Sequence, residues 1–341
     1  MRFLKSGAKL VNYHIPKVNP GYNHYICGSM KRILAIVSCI WLALVVVTAQ
    51  IQRDNWMAGL PDSMQVCRVS VPGTHDSGTA GVRFPMKHYA RTQTMNLSEQ
   101  WDAGIRFFDM RPRLEGGKLK IYHGPANCHL TFDEALLILK EKIELNPTEF
   151  CIVMTNSAGG GQTAVDMTME LITTVIPARM LVDFKEDMTV ADIRGRILFI
   201  HRNAPSRDVD TPGVVVRGWP GNGMSRKARM VSSDAKSAEL WAQDYFTSGN
   251  NDKDAYLSSK WDNMYRVLRA FRDANDGVWC INQASGYTGT GISTNIKRNV
   301  KSTNMRLFDY LRDSDTPVGI IPMDFPQQEL IDAIIGCNHI E

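Results

Sequence analysis

The chain has 341 residues, of which 44% are apolar and 22% charged, and this is the composition of an ordinary globular protein. Six of its 39 basic residues lie among the first 50, where there is no Asp or Glu, so 33 basic and 35 acidic residues remain over positions 51–341. Binding to a nucleic acid requires a basic excess that these residues lack, so we predict no nucleic-acid partner.

The N-terminal segment has the features of an export signal. Met30-Lys31-Arg32 precede the apolar run Ile33–Val47, and Thr48-Ala49 offer short side chains at a cleavage point. We therefore predict a leader over residues 1–49, with an effective start at Met30 as an alternative, and a protein that is secreted, periplasmic or at the cell surface. The run is short for a bilayer span of about 20 residues, so a retained anchor is the weaker interpretation.

Beyond the leader, short β-prone runs alternate with helical patterns, which is typical of an α/β fold. The eight runs are Cys67–Val71, Ile105–Met110, Leu119–Tyr122, Phe150–Met154, Ile197–Ile200, Leu240–Gln243, Val278–Ile281 and Val318–Met323. A capping box at Thr131–Glu134 opens one of the intervening helices. The pattern predicts an irregular (β/α)8 barrel of the TIM type, built by residues 50–341 as one catalytic domain.

Two further features limit the architecture. The segment Pro205–Lys236 is rich in Gly, Pro, Arg and Ser without clear periodicity, and we expect long loops over one mouth of the barrel. Outside the leader the cysteines are odd in number and widely spaced, without a C-x-x-C pair: Cys67, Cys128, Cys151, Cys280 and Cys337. We therefore predict neither a disulfide framework nor a zinc site.

Chemically reactive side chains follow many of the predicted strands. They are His75-Asp76, Asp109 and Arg111, His123, His201-Arg202, Asp244 and Asp324. The carboxyl ends of barrel strands meet at one face, so these groups are expected to gather there. Two histidines can serve as base and acid near neutral pH, and an arginine can bind two phosphate oxygens in parallel. This set predicts cleavage of a phosphodiester by general acid–base catalysis.

Four short segments of the sequence, which contain most of these reactive residues, carry a family resemblance. They are Gly73–Thr79, Phe107–Arg111, Tyr122–Gly124 and Ile321–Phe325. Together, in this order and spacing, they resemble the bacterial phosphatidylinositol-specific phospholipases C of the X-domain family. The resemblance extends from about Val66 to Pro326 and is strongest in the first third of that stretch. It implies a barrel of the phospholipase C-like phosphodiesterase type.

The resemblance also implies catalytic roles. His75 corresponds to the general base that removes the inositol 2-hydroxyl proton, with Asp324 orienting it. Arg111 corresponds to the phosphate clamp, and His123, paired with Asp76, corresponds to the general acid. Asp109 is implied as a supporting partner of Arg111. The expected products are diacylglycerol and a 1,2-cyclic inositol phosphate.

Head-group recognition is implied for Arg202, Asp244 and Tyr245, with Phe246 as an alternative stacking residue. The fourth strand departs from the family pattern, because Thr155-Asn156-Ser157 stand where members usually have a lysine that contacts the sugar. The exact head group, and the choice between free phosphatidylinositol and a glycosyl-phosphatidylinositol anchor, are therefore left open.

The expected cofactor requirement is none. Calcium-dependent relatives place carboxylates around the phosphate, whereas this chain offers the guanidinium of Arg111. The expected partner is a membrane surface containing phosphatidylinositol, contacted peripherally by a monomer. The alternatives are a glycerophosphodiester phosphodiesterase-like barrel, which usually needs a divalent ion that His75-Asp76 could bind, and an inactive barrel that binds a lipid or glycan.

Overall fold

The computed structural model describes residues 53–249, 252–274, 277–289, 296–312, 314 and 316–339. The predicted leader, residues 1–49, lies outside the described residues. All described residues belong to one compact unit, Gln50–Glu341. None of the helices in this part of the chain is both long and apolar enough to span a bilayer.

Twelve strands are present in the described residues. They are β1 (Val71–Thr74), β2 (Phe107–Met110), β3 (Pro112–Glu115), β4 (Lys118–His123), β5 (Ala126–Thr131), β6 (Cys151–Thr155), β7 (Ile197–His201), β8 (Val214–Arg217), β9 (Met224–Ser232), β10 (Ser237–Gln243), β11 (Trp279–Asn282) and β12 (Ile320–Met323). Nine of them close a barrel in the order β1-β12-β11-β10-β9-β8-β7-β6-β2, and β3-β4-β5 form a separate sheet. The closed barrel confirms the predicted fold class.

The helices of the described residues surround this barrel. They are α1 (Lys87–Ala90), α2 (Leu97–Asp102), α3 (Phe132–Leu145), α4 (Gly161–Val175), α5 (Val190–Ile193), α6 (Lys253–Arg272), α7 (Ile296–Arg312) and α8 (Gln328–Gly336). The predicted capping box is present at α3, where the Thr131 hydroxyl accepts from the amide of Glu134 and the Glu134 carboxylate accepts from the amide of Thr131. This reciprocal pair satisfies two amides of the first turn.

Three sequence predictions about the strands are corrected by the structure. The run Leu119–Tyr122 belongs to β4, which lies in the separate three-stranded sheet and not in the barrel. The segment Pro205–Lys236, predicted as loops, contributes the barrel strands β8 and β9. In the run Cys67–Val71, the first two residues belong to a turn of 3-10 helix, Val66–Arg68, and the strand begins only at Val71.

Alternate residues of the barrel strands divide between two cores. Phe107, Ile152 and Leu198 are buried in a cluster to which all nine barrel strands contribute, so this cluster fills the barrel interior. The next residues along the same strands, Phe108, Val153 and Phe199, belong to a second cluster shared with the helices. This division follows from the two-residue period of a strand and leaves the strand ends as the place for polar side chains.

The register of β1 decides which polar residues meet. Thr74 lies opposite Met323 of β12 on one side and opposite Phe108 of β2 on the other. Polar side chains at the ends of these strands therefore emerge at the same edge: His75 follows β1, Asp109 is the third residue of β2, and Asp324 follows β12.

Candidate active site

The turn after β1 is built to present two adjacent side chains. A Cβ at Gly73 would lie 2.8 Å from the ring of Phe107, so a larger residue would separate β1 from β2. Asp76 has a φ of 45°, a left-handed conformation that Asp adopts more readily than most residues. Ser77 then anchors the turn, since its amide donates to the carbonyl of Asp109 at 2.9 Å and its hydroxyl accepts from the amide of Asp109 at 2.8 Å.

Gln93 fixes the position of this turn relative to β12. Its side-chain amide donates to the carbonyl oxygens of His75 and Met323, both at 2.8 Å, and the residue is fully buried. The sequence analysis did not identify Gln93. Both of its acceptors are main-chain oxygens of residues distant in sequence, so no local pattern marks it.

His75 is held between a carboxylate and a guanidinium. Its Nδ1 lies 2.8 Å from Oδ1 of Asp324, and its Nε2 lies 2.7 Å from Nη2 of Arg111. Arginine always retains its protons, so in the neutral ring Nε2 is the acceptor and the ring proton is on Nδ1, donated to Asp324. The Nε2 lone pair is then occupied by Arg111, and it becomes available to act as a general base when Arg111 turns to another acceptor.

The surroundings of His75 make it a strong base. Burial acts to lower its pKa, but the carboxylates of Asp76 and Asp324 outweigh burial and raise the pKa to about 9. Oδ2 of Asp76 is 3.2 Å from Nε2 and can accept a hydrogen bond from Nε2 when that nitrogen is protonated. Once Arg111 no longer donates to it, Nε2 is therefore well placed to take up and hold a proton.

Arg111 bridges the two buried carboxylates beside the histidine. Its Nε lies 2.8 Å from Oδ1 of Asp76, and its Nη2 lies 3.1 Å from Oδ2 of Asp109. Burial acts to lower the pKa of Arg111, but these two carboxylates outweigh it and raise the pKa. The side chain is 21% exposed, so part of the guanidinium faces the cleft. Asp109 thus lies where the sequence placed it, as a partner of Arg111.

His123 approaches the same carboxylate from the other side. Its Nδ1 donates to the carbonyl of Ala90 at 2.7 Å, and its Nε2 lies 3.3 Å from Oδ2 of Asp76. The His75 and His123 rings are nearly perpendicular, with centroids 6.1 Å apart. Burial acts to raise the pKa of Asp76, but Arg111, His123 and His75 together lower it, so Asp76 stays ionised between the two rings.

A second charged group lies at the ends of β7 and β10. The guanidinium of Arg202 stacks on the ring of Trp219, 4.6 Å from its centroid. Trp219 Nε1 donates to Oδ2 of Asp244 at 2.9 Å, and Nη1 of Arg202 lies 3.7 Å from the same oxygen. Trp219 comes from the segment predicted as loops. It joins the two side chains that the sequence assigned to head-group binding.

Tyr245 and Phe246 have different surroundings. The Tyr245 ring stacks on buried Tyr256 with centroids 5.9 Å apart, and Tyr245 is not among the described residues that line the cleft. Phe246 does line it, and its ring lies 6.2 Å from that of Tyr287. Phe246 therefore reaches the cleft, whereas the Tyr245 ring packs away from it against Tyr256. Asn156, from the end of β6, also lines the cleft.

His201 is adjacent to this site but has a different role. It is fully buried, its Nε2 donates to the carbonyl of Pro212 and its Nδ1 accepts from the hydroxyl of Thr155, each at 2.7 Å. Burial lowers its pKa to about 4, so it is neutral at physiological pH. Both ring nitrogens are occupied, and the residue supports the strands rather than the chemistry.

These groups open into one cleft of about 960 Å³. Its described polar lining comprises His75, Thr92, Arg111, His123, Asn156, Arg202, Asp244, Thr247, Ser285 and Asp324, and its apolar lining includes Met86, Tyr89, Phe246 and Tyr287. A volume of this size accommodates a ligand of several rings or a head group with part of its substituents.

Three side chains of the site lie close enough together to form a possible metal site. Ligand atoms of His75, Asp76 and Asp109 lie within 4.8 Å of one another. The guanidinium of Arg111, however, already contacts both carboxylates, at 2.8 and 3.1 Å. A divalent cation would have to displace Arg111 or share its two anions, so these residues fit an arginine better than a metal ion.

Comparison with known proteins shows which chains this protein resembles. No family model matches the chain. Over 161 residues, 45% of this chain, it is 30% identical to the 1-phosphatidylinositol phosphodiesterase of Listeria monocytogenes, and the match spans 50% of that protein. The chain thus spans about half the length of this relative.

Solved structures match over a larger part of the chain. The phosphatidylinositol-specific phospholipase C of Listeria monocytogenes matches with a TM-score of 0.67 at 21% identity, covering 84% of this chain and 98% of that one. A structure of the Staphylococcus aureus phosphatidylinositol-specific phospholipase C, determined in work on the modulation of its membrane binding, has a TM-score of 0.69 at 19% identity and covers 82% and 97%. At these identities the structures show a shared fold.

Proposed function

Because the chain belongs to the bacterial phosphatidylinositol-specific phospholipase C family, we propose that it cleaves phosphatidylinositol or glycosyl-phosphatidylinositol-type lipids. The products would be diacylglycerol and 1,2-cyclic inositol phosphate. The observation that carries this proposal is the arrangement of His75 and His123 on either side of Asp76, with Arg111 beside them. This arrangement supplies a base, an acid and a fixed cation in one cleft.

In the first step Arg111 binds the phosphate. Its guanidinium donates in parallel to two phosphate oxygens, a strong and directional interaction. Arg111 then no longer donates to Nε2 of His75, and the base is released where the substrate is bound. Asp76 and Asp109 keep the guanidinium in place through their contacts of 2.8 and 3.1 Å.

In the second step the inositol 2-hydroxyl attacks phosphorus. Nε2 of His75 takes the hydroxyl proton while the new oxygen–phosphorus bond forms. The imidazolium is stabilised by Asp324, which accepts from Nδ1 at 2.8 Å. Arg111 offsets the negative charge that accumulates on the phosphoryl oxygens, where preorganised donors are most effective.

In the third step the bond from phosphorus to the glycerol oxygen breaks. His123, protonated on both ring nitrogens and paired with Asp76 at 3.3 Å, gives its Nε2 proton to that oxygen. Diacylglycerol leaves with this proton, so His75 ends protonated and His123 neutral. Slow hydrolysis of the cyclic product with the two roles reversed restores both histidines.

Metal independence is part of the proposal and follows from Arg111. The guanidinium provides the positive charge that a divalent ion provides in metal-dependent phosphodiesterases. A chelator is therefore expected to leave turnover unchanged. Loss of activity with EDTA, restored by calcium, would favour the glycerophosphodiester phosphodiesterase-like alternative.

Head-group binding is assigned to the second charged group of the cleft. Arg202 and Asp244, joined by Trp219, can donate to and accept from inositol hydroxyls, and Phe246 can stack on the ring. Asn156 lies at the strand end where relatives usually have lysine, and it offers a neutral amide in place of a charge. We assign no substrate contact to the Tyr245 ring.

A membrane surface is the proposed partner, contacted by the segment 83–89 at the cleft mouth. Met86 and Tyr89 line the cleft, while Phe84 is 83% exposed and Arg83 and Lys87 are exposed beside it. An aromatic side chain between two cations suits the interface of an anionic membrane. Phe84→Ala is expected to lower turnover on vesicles while leaving hydrolysis of soluble cyclic inositol phosphate unchanged. Equal effects on both substrates would contradict this role.

Export is proposed from the sequence of residues 1–49. N-terminal sequencing of the protein recovered outside the cell should begin near residue 50. Retention of the full chain inside the cell would contradict it.

The substrate class is tested by measuring turnover on vesicles of phosphatidylcholine containing phosphatidylinositol. The expected result is diacylglycerol release only when phosphatidylinositol is present. Diacylglycerol release from phosphatidylcholine alone, or hydrolysis of glycerophosphodiesters in place of the intact lipid, would overturn the proposed specificity.

A further inference from the structure

A buried lysine lies under the head-group side of the cleft. Lys260, in the middle of α6, is 0% exposed. Its Nζ donates to the carbonyl of Tyr245 at 2.9 Å and lies 3.4 Å from Oε1 of Gln243. Both of these hydrogen-bond acceptors, found within the described residues, are neutral oxygens. The proposed reaction does not use this side chain.

Such a burial is costly, because a lysine rarely enters a protein interior without a carboxylate in contact. Burial lowers the pKa of Lys260 to about 7, although the charges of Asp244 and Asp324 act in the opposite direction. Both of those carboxylates line the cleft. An apolar residue would fill the same space at no such cost, so the ammonium group itself needs an explanation.

The two acceptors of Lys260 belong to the strand end that carries the head-group residues. Gln243 is the last residue of β10 and is fully buried. Its amide nitrogen donates to Oδ1 of Asn282 and to the carbonyl of Gln283, both at 2.8 Å, which ties β10 to β11. Its Oε1 accepts from the amide of Tyr245 at 2.6 Å.

This network holds both main-chain polar groups of Tyr245. The Gln243 side chain binds the Tyr245 amide, and Lys260 binds the Tyr245 carbonyl and the Gln243 side chain together. The residues on either side of Tyr245 are Asp244 and Phe246, both of which line the cleft. Because the Tyr245 ring stacks on buried Tyr256 while both neighbours reach the cleft, fixing Tyr245 keeps these two neighbours facing the cleft.

We propose that Lys260 is a positioning residue for head-group recognition, holding the segment Gln243–Phe246 so that Asp244 and Phe246 face the substrate. The proposal rests on the proposed function and assigns Lys260 no contact with the reacting atoms. Lysine suits the position because its long stem reaches from α6 to the strand end and its ammonium can donate to several oxygens at once.

The test replaces Lys260 with methionine, which keeps the length of the side chain and removes the ammonium. Lys253→Met on the same helix is the control, because Lys253 is only half-buried at the first turn. Soluble 1,2-cyclic inositol phosphate is the substrate, so that membrane binding does not contribute. The KM of Lys260→Met should rise about tenfold, the effect expected from losing one or two hydrogen bonds, with little change in kcat.

A second readout is independent of turnover. Hydrogen exchange of the peptide covering residues 243–247 should accelerate in Lys260→Met, while exchange in β1 and β12 stays at the parent rate. If the parent protein has no turnover, the proposed function fails, and this exchange result still decides whether Lys260 positions the turn.

Lys260→Gln keeps the proposal testable if the methionine variant does not fold. Glutamine retains N–H donors but is shorter, so its KM should lie between the parent and the methionine value. The proposal would be overturned if these variants had the same KM as the parent protein and the same hydrogen-exchange rate over residues 243–247. A fall in kcat at constant KM, or faster exchange throughout the barrel, would overturn it as well, because neither is the effect of a local positioning group.

Discussion

Nε2 of His75 accepts a hydrogen bond from Nη2 of Arg111 at 2.7 Å, so the proposed base and the proposed phosphate clamp are bonded to each other. In the proposed reaction this bond breaks when Arg111 binds the phosphate. The substrate phosphate therefore does more than occupy the site, because its binding releases the base that removes the proton of the inositol 2-hydroxyl. This relationship makes the effects of substituting either residue interdependent.

Arg111→Lys is expected to lower kcat/KM by about 10²–10³-fold. This is the usual effect of removing one preorganised hydrogen-bond donor that stabilises the charge of a transition state. Lysine keeps the positive charge but lacks the parallel N–H pair that matches two phosphate oxygens. The matched control is Arg113→Lys, since Arg113 stacks on Tyr122 of the separate sheet. Steady-state kinetics of both variants provide the measurement, and near-parental activity of Arg111→Lys would remove the clamp from the mechanism.

The pH dependence of kcat/KM should reflect the effect of the carboxylates around His75 on its pKa. A base must be unprotonated, so kcat/KM falls as the pH drops below the pKa of His75. Asp76 and Asp324 raise that pKa to about 9. The fall in kcat/KM on the acid side of the pH profile (the acid limb) should therefore have its midpoint above pH 6.5, the ordinary pKa of histidine.

Asp324→Asn removes one of the two negative charges that raise the pKa. We expect the acid limb to move to lower pH while the maximum rate falls, because the imidazolium loses its partner. Asp332→Asn, which changes a carboxylate paired with Arg53 elsewhere on the chain, should leave the profile unchanged. An acid limb that stays in place in Asp324→Asn would contradict the assignment of His75 as the base.

Acid stability should depend on His201. Burial lowers its pKa to about 4 from a value of 6.5 in the unfolded chain. Its contribution to stability is therefore complete above pH 6.5 and is lost as the pH falls through 4, by up to about 3 kcal/mol. His201→Gln cannot titrate, so urea unfolding should show its stability deficit shrinking between pH 7 and pH 4. A constant difference across this range would show that His201 titrates normally.

The bridge made by Trp219 is tested by Trp219→Phe. Phenylalanine keeps a ring under Arg202 but removes the N–H that donates to Asp244. We expect KM to rise about three- to tenfold at constant kcat, the value of one ordinary hydrogen bond, because the lost bond positions Asp244 and does not itself contact the substrate. Trp241→Phe is a close control, because Trp241 also lies under an arginine, Arg226, and donates to a carboxylate, Glu239, but neither of these partners is among the described residues that line the cleft. Equal KM values for the two variants would contradict the bridge.

The sequence predicted the barrel and the reactive set because both depend on local signals. His75-Asp76, Arg111 and His123 follow β-prone runs, and the geometry of a barrel brings such strand ends together. The strands β8 and β9 were not predicted. Within β9, Ala228 and Met230 are the buried residues and their exposed neighbours are charged, so the segment resembles a polar loop.

Other residues were missed because their contacts are distant in sequence. Gln93 binds the carbonyl of Met323, 230 positions away, and no spacing indicates this. The choice between Tyr245 and Phe246 depends on which residues of the turn face the cleft. Once Asp244 is known to face it, the two-residue period favours Phe246, but the sequence alone did not fix that direction.

The most direct test of the central claim is phosphorus NMR of phosphatidylinositol in mixed micelles, incubated with residues 50–341 in excess EDTA. The account predicts the signal of a 1,2-cyclic inositol phosphate as the first product, replaced slowly by inositol 1-phosphate. Its early appearance under chelation would support intramolecular attack, metal independence and the substrate class together. Direct formation of inositol 1-phosphate, or no product until a divalent ion is added, would contradict the roles assigned to His75, His123 and Arg111.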